Sequence, residues 1–323
     1  MKKNSIITII IGVAVILIAC VAAYFIFTKN YEKKLQQEKA DYEEYQRQMT
    51  EPIYTLENYP KVDASLATQP LTNAFIKNFT GRDDIDENTL GYTNTHPGYI
   101  RLVDGEVDLI VVTQPSEDEL AYAAEKNVEL EVIPVVKEGF VFYVNGENPV
   151  SSLTTDQIQS IYAGEITNWK DVGGEDAPIV AYQRPRNSGS QTGIQALVMK
   201  DKQLMEPKTE NLLETMAQIV NYVSSYDNGR NSIGYSYLYY ATTMFETIDP
   251  EVASNIKLLA INGVKPVAEE IRSGNYPYTT AYYIVMRKSD AENPDSAAKK
   301  LADLMLSERG QKVATEAGYV SVK

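Results

Sequence analysis

From Ile6 to Phe27 the chain is almost unbroken apolar, with polar atoms only at Thr8, Cys20 and Tyr24. As a helix this run spans roughly 33 Å against a hydrocarbon core of about 30 Å, so it predicts a single membrane crossing. Lys2 and Lys3 precede it, which places the amino terminus in the cytoplasm and everything after Phe27 outside. The next stretch, 29–51, is dense in Lys, Glu and Gln and free of proline, with Tyr31, Leu35, Tyr42, Tyr45 and Met49 at helical spacing. It predicts a helical stalk. Fewer than about four heptads are present, which favours a solvated spacer over a dimerising coiled coil. Pro52 and Pro60 then mark entry to the folded region.

Beyond that point strand-like and helix-like patterns alternate, which predicts an α/β architecture. Strands are expected at 107–113 (VDLIVVT), 132–136, 140–144 and 282–286, where apolar, aromatic and β-branched residues run together. Helices are expected at 71–79, 116–126 with Ser116 as N-cap, 155–162, 211–223 and 296–306. Trp169 reads as core packing, and Tyr237, Tyr239 and Tyr240 as a packed amphipathic segment rather than a sugar platform.

The composition of the 323 residues, 44% hydrophobic and 23% charged, is that of a globular chain with room for an anchor and two lobes. A formal net charge of −14 without any Lys/Arg cluster argues against nucleic-acid binding. It does not argue against binding a small anion, because a site's field comes from local N–H dipoles and guanidinium groups, and distant carboxylates are screened beyond about 10 Å. The lone cysteine, Cys20, and the lone histidine, His96, leave no metal-ligand set and no internal disulfide. No cofactor is implied. Ser254-Asn255-Ile256-Lys257 has a Ser-x-x-Lys spacing without accompanying hydrolase motifs, so the chain does not read as an enzyme. His96, in a loop with Asn94 and Pro97, reads as a surface or hinge residue.

The most informative stretch is Tyr182 to Thr192, YQRPRNSGSQT, between a strand-like Ile179-Val180-Ala181 and a helix-like 194–199. A polar loop feeding a helix start aims free backbone N–H groups at an anion. Gly189 permits close approach, Ser188 and Ser190 offer hydroxyls, and Arg184 or Arg186 supplies charge-assisted donors.

This loop resembles the anion loop Arg-x-x-Gly-Ser-Gly-Thr of the phosphate-binding proteins of ABC importers, members of the periplasmic-binding-protein superfamily. Arg184-Pro185-Arg186-Asn187-Ser188-Gly189-Ser190 keeps its spacing, with Asn187 for the first glycine and Ser190 for the threonine. Asp63 to Thr68 followed by Pro70-Leu71 is similar to that family's first anion loop, and Leu153 to Trp169, Ile233-Gly234-Tyr235, Gly263 to Pro266 and Gly310-Gln311 match further pieces. The resemblance implies a two-lobed type II binding-protein fold with lobe I at 52–137 and 276–323 and lobe II at 138–275, following an anchor at 1–28 and the stalk. It implies ligand contacts from Ser65, Leu66 and Thr95 in one lobe and from Arg184, Ser188, Gly189 and Ser190 in the other. The implied partners are inorganic phosphate, or a similar tetrahedral oxyanion, and an ABC permease, with the protein on the extracytoplasmic face of the cell membrane. The alternative is a membrane-anchored oxyanion sensor or surface interaction module. Where the family carries a buried Asp that accepts the ligand's proton, this chain has Thr113-Gln114. The amide oxygen of Gln114 can accept the same proton, but its amide nitrogen can also donate, so discrimination against sulfate weakens; Asp63 is the alternative acceptor. Leu17-Ile18-Ala19-Cys20 resembles a lipobox, so a lipid on Cys20 stands as the alternative to an uncleaved helix.

Overall fold

The computed structural model describes residues 2–85, 90–225 and 229–323. Two compact units are present, Met1–Glu51 and Pro52–Lys323. The first is a single helix, α1 (Lys2–Thr50), which runs without a break through the junction expected between anchor and stalk. It is long and apolar enough to cross a membrane. Cys20 is exposed on it as a free thiol.

The second unit is the expected α/β fold, with the strands β1 (Val62–Ala64), β2 (Leu109–Val112), β3 (Leu130–Asn145), β4 (Ser152–Leu153), β5 (Val180–Ala181), β6 (Ser232–Tyr237), β7 (Ile256–Leu258), β8 (Ala260–Ile261), β9 (Thr279–Arg287) and β10 (Val320–Ser321). The order along the main sheet is β1-β2-β9-β3-β6-β5, with β7 and β10 also on β3. Helices α2 (Gln69–Thr80), α3 (Thr95–Val103), α4 (Glu117–Glu125), α5 (Thr155–Tyr162), α6 (Gly189–Gly193) and α7 (Met216–Ser224) separate the strands, and further helices occupy 297–306 and 308–316.

Two expected strands, 132–136 and 140–144, are one. The polar Lys137-Glu138-Gly139 between them does not end β3, because each polar group is satisfied in place. Lys137 Nζ reaches the Arg272 carbonyl at 2.8 Å, and Glu138 Oε1 accepts the Gly139 N–H at 2.8 Å. Pro134, which has no N–H to give, coincides with a register shift against β9 rather than with a break. β3 pairs with β9 up to Gly139 and with β6 from Phe140 onward. The long central strand thus threads both halves of the sheet. Phe140, Phe142, Tyr162 and Tyr235 pack at 5.5–6.3 Å around its second half.

The helix expected over 211–223 begins later, at Met216. Thr215 and Gln218 form a reciprocal capping box that fixes the start. The residues before it are drawn into the sheet: Gln183 N donates to Asn211 O and Leu213 N to Gln183 O, both at 2.9 Å. The remaining expected helices form within one or two residues of their predicted bounds, with Ser116 and Ser296 as N-caps. Trp169 is buried, its Nε1 donating to Asn231 O at 2.8 Å.

Glu138 is buried among the hydroxyls of Tyr237, Tyr239, Tyr282 and Tyr319, and burial pushes its carboxyl up from the ordinary carboxylate range to about 7. A raised folded-state value means that the native state holds the proton more tightly than the unfolded chain, so stability falls as pH rises from about 4.5 through about 7. Glu138→Gln is predicted to remove a pH-dependent loss of up to about 3 kcal/mol between pH 5 and 8. Urea denaturation of both proteins at the two pH values checks this; identical slopes would show that Glu138 keeps its charge in the fold.

Candidate functional site

Six chain segments converge on one cavity of about 290 Å³ within the second unit. Residues 65–67 follow β1, 93–97 enter α3, Thr113 follows β2, 184–190 lead into α6, 214–216 lead into α7, and Tyr237 ends β6. Every residue expected as a principal ligand contact, Ser65, Leu66, Thr95, Arg184, Ser188, Gly189 and Ser190, lines this cavity.

Each loop is shaped by local chemistry. Ser65 sits extended before a single 3-10 turn, Leu66–Thr68, with Oγ 3.0 Å from Thr68 Oγ1. Asn94 adopts φ 89 and turns its side chain onto the Thr95 N–H at 3.1 Å, starting α3 beside the cavity. The same oxygen reaches Leu66 N only at 3.4 Å, a weak bond that leaves that N–H largely unspent. In the third loop Asn187 takes φ 66, a left-handed conformation that asparagine tolerates better than most residues, which is how it fills the expected glycine position. Ser188 caps the helix by accepting from Gln191 N at 3.3 Å, and residues 189–199 continue as one helical run whose second part has π geometry.

Arg184 is the electrostatic centre of the cavity. Its relative exposure is 9%, yet no carboxylate among the described residues lies within ion-pair distance. Nη2 donates to the Glu214 carbonyl at 2.7 Å, Nη1 reaches Ser190 Oγ only at 3.4 Å, and Nε has no partner. Burial pushes the guanidinium pKa down, the sign expected of a cation taken out of water without a counter-charge. The backbone beneath it is held firmly, since Arg184 N donates to both Gln191 Oε1 at 3.0 Å and Tyr235 Oη at 3.1 Å.

A second orphan faces the same space. Thr113 Oγ1 is buried without a hydrogen bond of good geometry. Thr113 and Thr95 close tightly on Gly189, where a Cβ would lie 2.7 Å from Thr113 Oγ1 and 2.9 Å from Thr95 Oγ1. Only glycine fits there. Tyr237 Oη donates to Gly189 O at 3.1 Å and fixes the other side of that peptide.

Other expectations are corrected. Asp63 does not line the cavity: it is fully buried, accepts Ala64 N at 2.7 Å and Thr93 N at 2.8 Å, and is bound by Thr93 Oγ1 and the Arg101 guanidinium. All its lone pairs are engaged in holding the first two loops together, so it cannot serve as the ligand's proton acceptor. Gln114 is half-buried and outside the cavity, while Thr113 lines it. Arg186 reaches the rim but is committed to Asp118 in a two-pronged ion pair at 2.6 and 2.8 Å, with Asn187 Nδ2 adding a third bond at 2.8 Å. That pairing holds the Asp118 carboxyl below its ordinary range.

Tyr237, Asn94, Glu214 and His96 were not expected in the cavity. His96 lines it with Nδ1 3.1 Å from Glu119 Oε1. Its adjacency to Thr95 was the only sequence signal. Nothing local marks Tyr237, which arrives through the pairing of β6 with β3.

The PBP superfamily domain model matches residues 58–309. Among curated relatives, the phosphate-binding protein PstS of Bacillus subtilis is 27% identical over 262 residues, covering 81% of this chain and 80% of that protein. The PstS of Staphylococcus aureus is 24% identical over 273 residues, covering 82% and 79%. Among solved structures, a Clostridium perfringens substrate-binding protein with bound phosphate aligns at TM-score 0.61 and 24% identity over 81% of this chain and 98% of that one. An ABC-type phosphate transport receptor from Vibrio cholerae aligns at TM-score 0.58 and 21% identity over 80% and 98%. These structural likenesses establish the fold.

If the Arg184 guanidinium serves a ligand rather than the fold, its removal in anion-free buffer costs little. Arg184→Met is predicted to unfold within about 1 kcal/mol of the wild type, or to be more stable, because the desolvation penalty goes with the charge. A thermal or urea transition lowered by more than that would assign the guanidinium a structural role.

Proposed function

The chain belongs to the PBP superfamily, and within it we propose that it captures phosphate, or a similar tetrahedral oxyanion, in this cavity and presents it to an ABC permease. The single observation that carries the reading is the buried guanidinium of Arg184 with its Nε unpaired. A buried cation whose donors are unfilled attracts an anion with several acceptor oxygens. Around it stand the hydroxyls of Ser65, Thr95, Thr113 and Ser190 and the helix start at Gly189, all of which can donate. The relatives' names, phosphate-binding proteins, agree with that donor set.

Capture is reversible and no bond is made or broken. In this reading β3 passes from lobe I, which ends at residue 137, into lobe II, which starts at 138. The anion recruits Ser65, Leu66 and Thr95 from one and Arg184, Ser188, Gly189 and Ser190 from the other, and the difference in affinity between open and closed forms is what favours closure. The Arg186–Asp118 pair, closed across the rim, would hold the bound form together. The uncut α1 holds the domain at the extracytoplasmic face of the membrane, since the helix and its apolar run continue past Cys20 to Phe27.

Isothermal titration of the full chain in detergent with phosphate tests the site. Arg184→Ala is predicted to weaken binding by about 30-fold or more, the effect of losing about 2 kcal/mol or more of charge-assisted bonding. Undiminished binding in that variant would remove the site. For the anchor, protein extracted from the membranes of expressing cells is predicted to retain the residues ahead of Cys20 with its thiol unmodified, whereas a mass that starts at an acylated Cys20 would show that a lipid is the attachment.

A further inference from the structure

This inference rests on the oxyanion reading and concerns the proton that hydrogen phosphate carries and sulfate lacks. A binding site separates the two by offering an acceptor that the P–OH group satisfies and a bare oxygen does not. Carboxylates near the cleft are already committed or displaced. Asp63 is saturated by Arg101, Thr93 and Ala64, and Asp118 by Arg186 and Asn187. Glu214 is exposed at the rim, and its backbone carbonyl, rather than its carboxylate, meets Arg184.

His96 is placed differently. It is the second residue of α3 and lines the cleft beside Thr95. Its Nδ1 contacts Glu119 Oε1, and the Glu119 side chain is 1% exposed. The other carboxylate oxygen of Glu119 accepts Ser116 N at 2.7 Å as part of the capping box of α4, so the carboxylate cannot swing away. A carboxylate fixed against Nδ1 holds the proton there and leaves the lone pair of the neutral ring on Nε2. Nε2 has no protein partner among the described residues.

We propose that His96 is the specificity-determining residue of the cleft: oriented by Glu119, its neutral ring accepts the P–OH proton of hydrogen phosphate at Nε2 and disfavours sulfate, the task a carboxylate would otherwise perform.

Titrating the full-length protein in detergent with phosphate and with sulfate at pH 8 tests this. The wild type is expected to favour phosphate by about tenfold or more, the worth of one hydrogen bond to an ionic ligand. His96→Ala is expected to bring the two affinities to within about threefold. Glu119→Gln, which preserves the cap but no longer fixes the ring's proton, is expected to lower the pH 8 ratio while phosphate still binds. A ratio in His96→Ala equal to that of the wild type, or a wild-type ratio near one, would overturn the role of His96 while leaving oxyanion capture standing. Absence of heat from either anion with the wild type would overturn both.

Discussion

Taking a guanidinium out of water without giving it a carboxylate costs several kcal/mol, and the folded unit accepts that cost at Arg184. Its backbone is pinned by Gln191 and Tyr235, one of its nitrogens by the Glu214 carbonyl, and Nε is left without a partner. Glu214, the carboxylate residue that shares its cavity, is exposed at the rim and makes no ion pair with it, while Asp118 is paired with Arg186 and Asp63 with Arg101. A positive, donor-rich space therefore survives inside a chain whose net charge is −14. Global charge and local field are separate quantities here.

The remaining architecture can be understood as the means of delivering donors to that cation. β1 and β2, paired in parallel, carry Ser65 and Thr113 to the same end of the sheet, and the Asp63–Arg101–Thr93 cluster ties the loop ahead of α3 to β1. β5 and the drawn-in segment around Asn211 aim the Arg184 loop from the other side. The two sets meet at Gly189, where the lack of a side chain leaves room for two threonine hydroxyls to close on the backbone. Such closeness is a packing constraint as strict as any in the core.

Much of this was legible in the sequence where local chemistry alone decides. Caps at Ser116 and Ser296, the α/β alternation and the Arg-x-x-Asn-Ser-Gly-Ser loop are written in neighbouring residues. The failures were long-range. The polar Lys137-Glu138-Gly139 looked like a strand end because its satisfaction comes from Arg272 and from the tyrosines around Glu138, far away in the chain. Asp63 looked free to meet a ligand because Arg101 and Thr93, its partners, are visible only once α3 is folded against β1. Tyr237 and His96 reach the cavity through sheet pairing and through a part-buried contact with Glu119, neither of which leaves a motif.

A crystal structure of the protein grown with phosphate is the most direct test of the central claim. A tetrahedral anion is predicted within hydrogen-bond distance of Arg184 Nε, Thr113 Oγ1 and the N–H groups at the Gly189 helix start. An anion seated elsewhere, with those atoms still unpaired, would contradict it.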